Sequence, residues 1–326
     1  MRARYLMHVK ICLLMFKPEK FIEEKIAWLG QAIGDGEALA ATSGGVDSMT
    51  TAALGHKAVG DRLKVIFLDD GLMRKGEPQK VVDILKRLGI KARICDVKDY
   101  FFEALKGKTD PEEKRKAFRE AFYQTFARIA RELGINCLLQ GTIAADVVET
   151  KGGVKSQHNV LEQIGIIPLD RYGYKVLEPL KEIYKPQVRE VARALGLPRE
   201  VVQRRPFPGP GLSIRVLGEV TPERVELVRE ATAIVEDETE DVSCFQAFAV
   251  LMQDRATGIT KTGKRKYGEI VVVRVVQSED AMTAESTALP RETLRRIEKR
   301  ITEELPTVTH VLFDLSGKPP ATIEFE

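Results

Sequence analysis

The chain has 326 residues, 44% of them hydrophobic and 30% charged, so two domains are the default and each has apolar material for a core. A net charge of +3 is too small for a general nucleic-acid partner, so any positive field is local. Four widely spaced cysteines (Cys12, Cys95, Cys137, Cys244) form no C-x-x-C pair, which disfavours a zinc knuckle, a redox pair or a disulfide framework and fits a reducing cytoplasm.

At the N-terminus, the apolar run from Ile11 to Phe16 is too short to span a bilayer, and Lys10 interrupts anything longer. No small-residue cleavage site follows it, so neither a signal peptide nor a membrane role is inferred. Met15 is an alternative start, which makes residues 1–14 an expected extension of the folded protein, not native to it. From Pro18 to Gln31, apolar Phe21, Ile22, Ile26 and Leu29 have amphipathic helical spacing, with Gly34 placed to close the helix.

The apolar run Ala38–Thr42 then leads into Ser43-Gly44-Gly45-Val46-Asp47-Ser48, followed by helical composition from Met49 to Lys57. A strand that ends in a Gly-rich turn opening a helix presents successive N–H groups and the positive end of a helix dipole to an anion. Gly44 and Gly45 let the backbone approach a phosphate, and Ser43 and Ser48 add hydroxyl donors. Asp47 repels phosphate but suits Mg²⁺ bridging phosphate oxygens. No G-x-x-x-x-G-K-[ST] pattern is present, so this is not the usual P-loop.

Further strands are expected at Leu63–Leu68, Ala92–Cys95 and Cys137–Gln140. Helices are expected from Pro78 to Leu88 and from Pro111, capped by Asp110, to Leu133. Strands separated by helices argue for an α/β, doubly wound parallel sheet with ligands beyond the carboxyl ends of its strands. The Ser43 loop, Asp69-Asp70-Gly71 and Gly141-Thr142 all fall at such ends and are expected to share one crevice. After Gly141 periodicity fades, and Lys151 to Asn159 reads as a mobile loop or lid. A helix returns from Lys185 to Leu195. The Pro/Gly stretch Arg204–Gly211 is the best domain boundary, giving units at 15–203 and 204–326.

Beyond it, helices are expected at Pro222–Glu236 and Pro290–Glu304. Strands are expected at Phe245–Met252, Ile270–Val276, Val308–Phe313 and Thr322–Phe325. This second unit reads as a smaller α+β domain whose open sheet suits pairing with another subunit. His56 and His310 are isolated and read as packing residues.

The S-G-G-x-D-S loop resembles the pyrophosphate loop of the ATP pyrophosphatases, whose fold is adenine-nucleotide hydrolase-like. Seven further stretches extend the likeness: DDGLMR at Asp69, PEEKRK at Pro111, QGTIAADVVET at Gln140, KSQHN at Lys155, RRPFPGPGL at Arg204, DAMTA at Asp280 and SGKPPATIEFE at Ser316. Together these resemble the GMP synthetases, specifically their ATP-pyrophosphatase part, over nearly all of Phe16 to Glu326. The glutaminase domain of longer members, with its Gly-x-Cys-x-Gly elbow, has no counterpart here.

The resemblance implies a cytoplasmic ligase that makes GMP from XMP, ATP and ammonia through an adenylated XMP, releasing AMP and pyrophosphate. It implies Mg²⁺ with ATP as co-substrate, ammonia from a separate glutamine amidotransferase subunit, a homodimer through the C-terminal domain, and no nucleic-acid partner. ATP and pyrophosphate would be held by Ser43 to Ser48, Asp70, Gly71, Gly141 and Thr142, with Asp47 the metal ligand and Lys155 the cation beside the transferring phosphorus. XMP would meet Arg115, Lys318, Thr322 and Glu324. The chain departs from the family at Gln157, where many members have a first His before His158, across Leu161–Asp170, and at Phe325, which replaces a usual Trp. The rivals are another amide-forming or tRNA-modifying ATP pyrophosphatase, a nucleotide-binding regulator and a degenerate scaffold. Thiolation would want paired cysteines and a basic face; the regulator would need neither Lys155 nor KPPATIE; the intact loop opposes a scaffold.

Overall fold

The computed structural model describes residues 16–151, 173–260, 262–279 and 281–326. Residues 1–14, Lys155 to His158, Leu161–Asp170 and Asp280, each singled out above, lie outside them. The chain divides into two compact units that interleave in sequence. The first draws on residues 1–68, 78–96 and 123–204, the second on residues 69–77, 97–122 and 205–326.

In the first unit, α1 (Pro18–Ile33) has Pro in its first turn and stops at Gly34, whose φ of 62° suits glycine. It buries Phe21 and Leu29. Then come β1 (Ala38–Thr42), α2 (Val46–Val59), β2 (Leu63–Asp69), α3 (Glu77–Arg87) and β3 (Ala92–Asp96). Helix α2 shows little amphipathic spacing because it is buried almost all round: Met49, Thr50, Thr51, Ala52, Ala53 and Leu54 are all covered. A Cβ on Gly55 would stand 2.5 Å from Leu139 and 3.0 Å from Leu63, so glycine lets this helix lie close on the sheet.

After α4 (Lys98–Leu105) and α5 (Pro111–Leu133) come β4 (Cys137–Leu139), α6 (Ala144–Lys151), β5 (Lys175–Leu177), α7 (Lys185–Ala194) and α8 (Arg199–Val202). The sheet runs β3-β2-β1-β4-β5, with β1 parallel to β2 and β4, and β4 parallel to β5. This is the doubly wound α/β sheet expected from the alternation of strands and helices. The chain builds outward from β1 through β2 to β3, then restarts at β4 on the other side. The order therefore switches between β1 and β4, where such sheets leave a crevice for ligands.

In the second unit, a 3₁₀ turn (Gly211–Arg215) precedes α9 (Pro222–Glu238), capped by the Thr221 hydroxyl accepting from Arg224 N–H. Its buried stripe of Val225, Val228, Ala231, Ile234 and Val235 packs on β6 (Gln246–Ile259). Antiparallel to β6 runs β7 (Arg265–Gln277), which pairs with β8 (Glu285–Ser286) and, in parallel, with β9 (Val308–Phe313). Helix α10 (Arg291–Glu304) packs against α9 and β9.

Several elements differ from the sequence reading. Helices α4 and α6 and strand β5 are short and carry little periodic signal. Strands β6 and β7 run on as a long hairpin whose distal half is largely exposed, so no apolar run announces it. Thr322–Phe325 is not a strand. The buried Arg274 side chain takes the carbonyls of Thr322 (2.7 Å) and Ile323 (2.8 Å), and Pro319 and Pro320 just before them have no N–H to donate.

Candidate active site

The turn from Ser43 to Ser48 joins β1 to α2 at the switch point. Gly44 has φ of 76°, a conformation that favours glycine, and its N–H donates to Thr42 Oγ1 (3.1 Å). Ser48 closes the turn from below: its hydroxyl donates to Gly45 O (3.0 Å) and accepts from Ser43 N–H (3.3 Å). Arg204 Nη1 donates to Gly44 O at 2.8 Å and so pins the peptide that shapes the turn. The N-cap of α2 is Gly45, and no side chain among the described residues caps it. The first N–H groups of this helix have no acceptors within it, and they stand at the carboxyl end of β1, where an anion would meet them.

Gly141, just beyond β4, completes the floor. A Cβ there would stand 3.0 Å from Asp47 C and Ser48 N, so only glycine lets β4's exit run against the opening of α2. The neighbouring Thr142 is buried and its hydroxyl accepts from Gln140 Nε2 at 3.1 Å. Ser43 through Ser48 and Gly141 are thus brought together. Lys155 lies outside the described residues.

Asp47 points one carboxylate oxygen, Oδ2, at Lys185 Nζ. The other, Oδ1, is buried with no hydrogen-bond partner among the described residues. Burial pushes the Asp47 carboxyl above its usual range against the pull of Lys185; the charge of Asp146 pushes the same way, and that of Arg189 opposes it. An unsatisfied carboxylate oxygen at this turn is a hard donor of the kind that Mg²⁺ would take. No group of three His, Cys, Asp or Glu side chains gathers among the described residues. The residues present therefore fit Mg²⁺ at Asp47. Lys185, Arg189 and Arg204 are absent from the sequence-derived set. Lys185 and Arg189 read there only as part of a helix, and Arg204 only as the start of the domain boundary and of the RRPFPGPGL stretch.

In the second unit, Asp70 is buried and its Oδ1 accepts from Leu72 N–H at 2.8 Å. Burial raises its carboxyl to about 7, only partly offset by that hydrogen bond. The sign follows: the folded chain holds the proton more tightly, so this group's contribution to stability is complete below the unfolded value near 3.8 and lost as pH rises through about 7. Asp70→Asn is expected to gain on the wild type by a few kcal/mol across that window. Thermal midpoints of both proteins from pH 4 to pH 8 check this; a constant difference would refute it. Gly71, at φ of 77°, has no room for a Cβ, which would stand 2.7 Å from the Phe102 ring, and its carbonyl accepts from Arg229.

The four residues assigned to XMP all lie in this second unit. Arg115, on the first turns of α5, pairs with Glu112 (2.5 Å). Lys318 Nζ donates to Ala281 O (2.7 Å), and the Thr322 hydroxyl to Glu324 O. Glu324 is gripped at both oxygens by Arg215 (2.9 and 3.0 Å) and receives Gln246 Nε2 at 3.1 Å. Arg215 is itself buried, its guanidinium 3.9 Å from the Phe248 ring centroid. Phe325 packs on the cluster of Phe248, Val250 and Val272. Arg215 and Gln246 escaped the sequence reading because neither sits in a polar motif.

Residues 18–198 match the model of the PP-loop domain, and residues 233–325 that of the GMP synthase C terminal domain. A subunit of the glutamine-hydrolyzing GMP synthase of Methanopyrus kandleri is 52% identical over 96% of this chain and 100% of its own length. The corresponding subunit of Thermococcus kodakarensis is 51% identical over 94% of this chain and 99% of its own, and that of Methanocaldococcus jannaschii 50% over 96% and 100%. The chain belongs to the GMP synthase family, alongside these archaeal subunits, and carries its PP-loop and C-terminal domains.

Proposed function

We propose that this chain is the synthetase subunit of a two-subunit GMP synthase, joining ammonia to XMP at the expense of ATP. The observation that carries the reading is the uncapped turn at the β1/β4 switch point, with Gly44 in the left-handed region and one Asp47 oxygen unpartnered among the described residues. O2 of the xanthine base attacks the α-phosphorus of ATP; that O–P bond forms as the bond to the pyrophosphate oxygen breaks. Ammonia then adds at C2, AMP leaves with the former O2, and loss of protons gives the 2-amino group of GMP. The N–H groups from Gly45 to Ser48 face the charge that gathers on the departing pyrophosphate. When bound at Asp47, Mg²⁺ neutralises part of that charge. Lys155 is assigned from the resemblance as the cation beside the α-phosphorus, and Asp70, Gly71 and Thr142 as neighbours of the nucleotide.

The relatives are named as subunits of a glutamine-hydrolyzing enzyme, which supports a separate glutamine amidotransferase as the ammonia source. We assign residues 15–203, Arg115 apart, to ATP activation and 204–326, with Arg115, to XMP binding and homodimerisation, and place the enzyme in the cytoplasm. Exposed Ile259, Tyr267, Leu312 and Leu315 on and beside the β6–β9 sheet support the dimer assignment. Among the described residues no helix is long and apolar enough to cross a membrane.

Incubation with ATP, Mg²⁺, XMP and ammonium is expected to give AMP, pyrophosphate and GMP one for one. AMP formed only with tRNA or another acceptor would overturn the reading in favour of a different ATP pyrophosphatase. Lys318→Ala is expected to raise KM for XMP roughly tenfold or more, with little change for ATP. Initial rates against each substrate check this, and the opposite pattern would move the purine-monophosphate pocket elsewhere.

A further inference from the structure

Three buried cations of the second unit converge on residues 314–326. Arg274 of β7, wholly buried, donates to the carbonyls of Ser316 (3.0 Å), Thr322 (2.7 Å) and Ile323 (2.8 Å) and pairs with Asp314. Arg215 holds Glu324. The third is Lys114, on the first turn of α5, whose side chain has no exposed surface. Its Nζ donates to Val216 O at 2.7 Å and pairs with Glu326 Oε2 at 2.5 Å. Gly218 N–H also reaches the Glu326 carboxylate, and the charge of neighbouring Arg115 is felt there.

Arg274 and Arg215 explain why the tail is folded back. Lys114 needs a further reason. Burial works against both members of its pair, drawing the Lys114 ammonium down and pushing the Glu326 carboxyl up. A buried ion pair contributes little net stability compared with an apolar pair of equal volume, because desolvating two charges offsets their attraction. What an ion pair supplies and an apolar contact does not is a single register: only one residue of the tail offers the right charge at the right place. The pair also joins the start of α5 to the tail. Lys114 adjoins Arg115, and Glu326 stands two residues beyond Glu324.

We propose that Lys114, acting through Glu326, is a positioning residue for the XMP site: it fixes the register in which the 316–326 tail presents Lys318 and Glu324 to the nucleotide held by Arg115. The proposal rests on the XMP assignment made above. Lys114 touches no substrate and acts only by locking the tail.

The test compares Lys114→Met, Glu326→Leu and the double variant with the wild type, reading thermal midpoint and KM for XMP and ATP separately. Each single variant leaves a buried charge unpaired and is expected to melt earlier. The double variant, with an apolar pair, is expected to recover most of the lost midpoint. Its KM for XMP should nevertheless stay raised by about tenfold or more while KM for ATP holds within about twofold. A double variant with both wild-type midpoint and wild-type KM for XMP would overturn the proposal, since the pair would then be structural alone. If the double variant fails to fold, Glu326→Ala decides: it removes the tail's acceptor for Lys114, and a wild-type KM for XMP there overturns the proposal equally. A wild-type chain that turns over ATP without any dependence on XMP would overturn both this proposal and the assignment beneath it.

Discussion

Asp47→Ala is expected to stop pyrophosphate release while leaving the fold in place. Both halves follow from where the carboxylate sits. Its Oδ1 is buried, unpartnered among the described residues and part of the turn proposed above to meet the leaving pyrophosphate. Removing it takes away the protein's hard oxygen donor where negative charge accumulates, a loss on the order of 10³-fold in kcat, or about 4 kcal/mol. Its Oδ2 partner, Lys185, is 40% exposed, so water can replace the lost carboxylate and the cost to stability is about 1 kcal/mol or less. Single-turnover release of pyrophosphate, set beside thermal midpoints, separates the two effects. Near-normal turnover would remove the metal-ligand role. A collapsed midpoint would show that Asp47 serves the fold first.

Gly211→Ala should do the reverse, losing the fold before the chemistry. Gly211 has φ of 62°, and a Cβ there would stand 2.5 Å from Leu72 O, 2.8 Å from Leu72 Cβ and 3.1 Å from Leu72 C. Left-handed backbone costs alanine about 1–2 kcal/mol by itself. The clash is with a carbonyl, which has no rotamer to escape into, and that carbonyl also accepts from Leu212 N–H at 2.8 Å. Relief needs the Asp69–Glu77 segment to move away from the Pro/Gly stretch within the second unit. A loss of at least about 3 kcal/mol is expected, or roughly 5–10 °C in thermal midpoint. Shortening Leu72 in the same chain should not rescue it, because the obstacle is main chain. A midpoint within a degree or two of wild type would contradict this account of why glycine stands there.

Four of the five strands of the first unit's sheet were legible because their signals are local, β5 being the exception. Ala38–Thr42 is apolar between a helix and a glycine turn, and Asp110-Pro111 and Gly134 mark the ends of α5. The Ser43 turn was legible for a chemical reason: two glycines, two hydroxyls and a carboxylate between a strand and a helix suit few purposes besides phosphate. The groups that set up that turn carry no such mark. Arg204 reaches Gly44 across 160 residues and Lys185 reaches Asp47 across 138, and each looks in sequence like an ordinary surface cation. The tail misled for a related reason. Thr322–Phe325 has strand-like composition, but a buried arginine, not a neighbouring strand, satisfies the carbonyls of Thr322 and Ile323. Pattern reports what a segment could pair with; only the fold says what arrives.

The most direct test is to identify which bond of the triphosphate is cut. ATP labelled separately at its α- and γ-phosphates, turned over once with XMP and ammonium, should leave the α label in AMP and the γ label in pyrophosphate. Label appearing in ADP and orthophosphate would contradict the account, because the turn after β1 would then not be holding the leaving pyrophosphate.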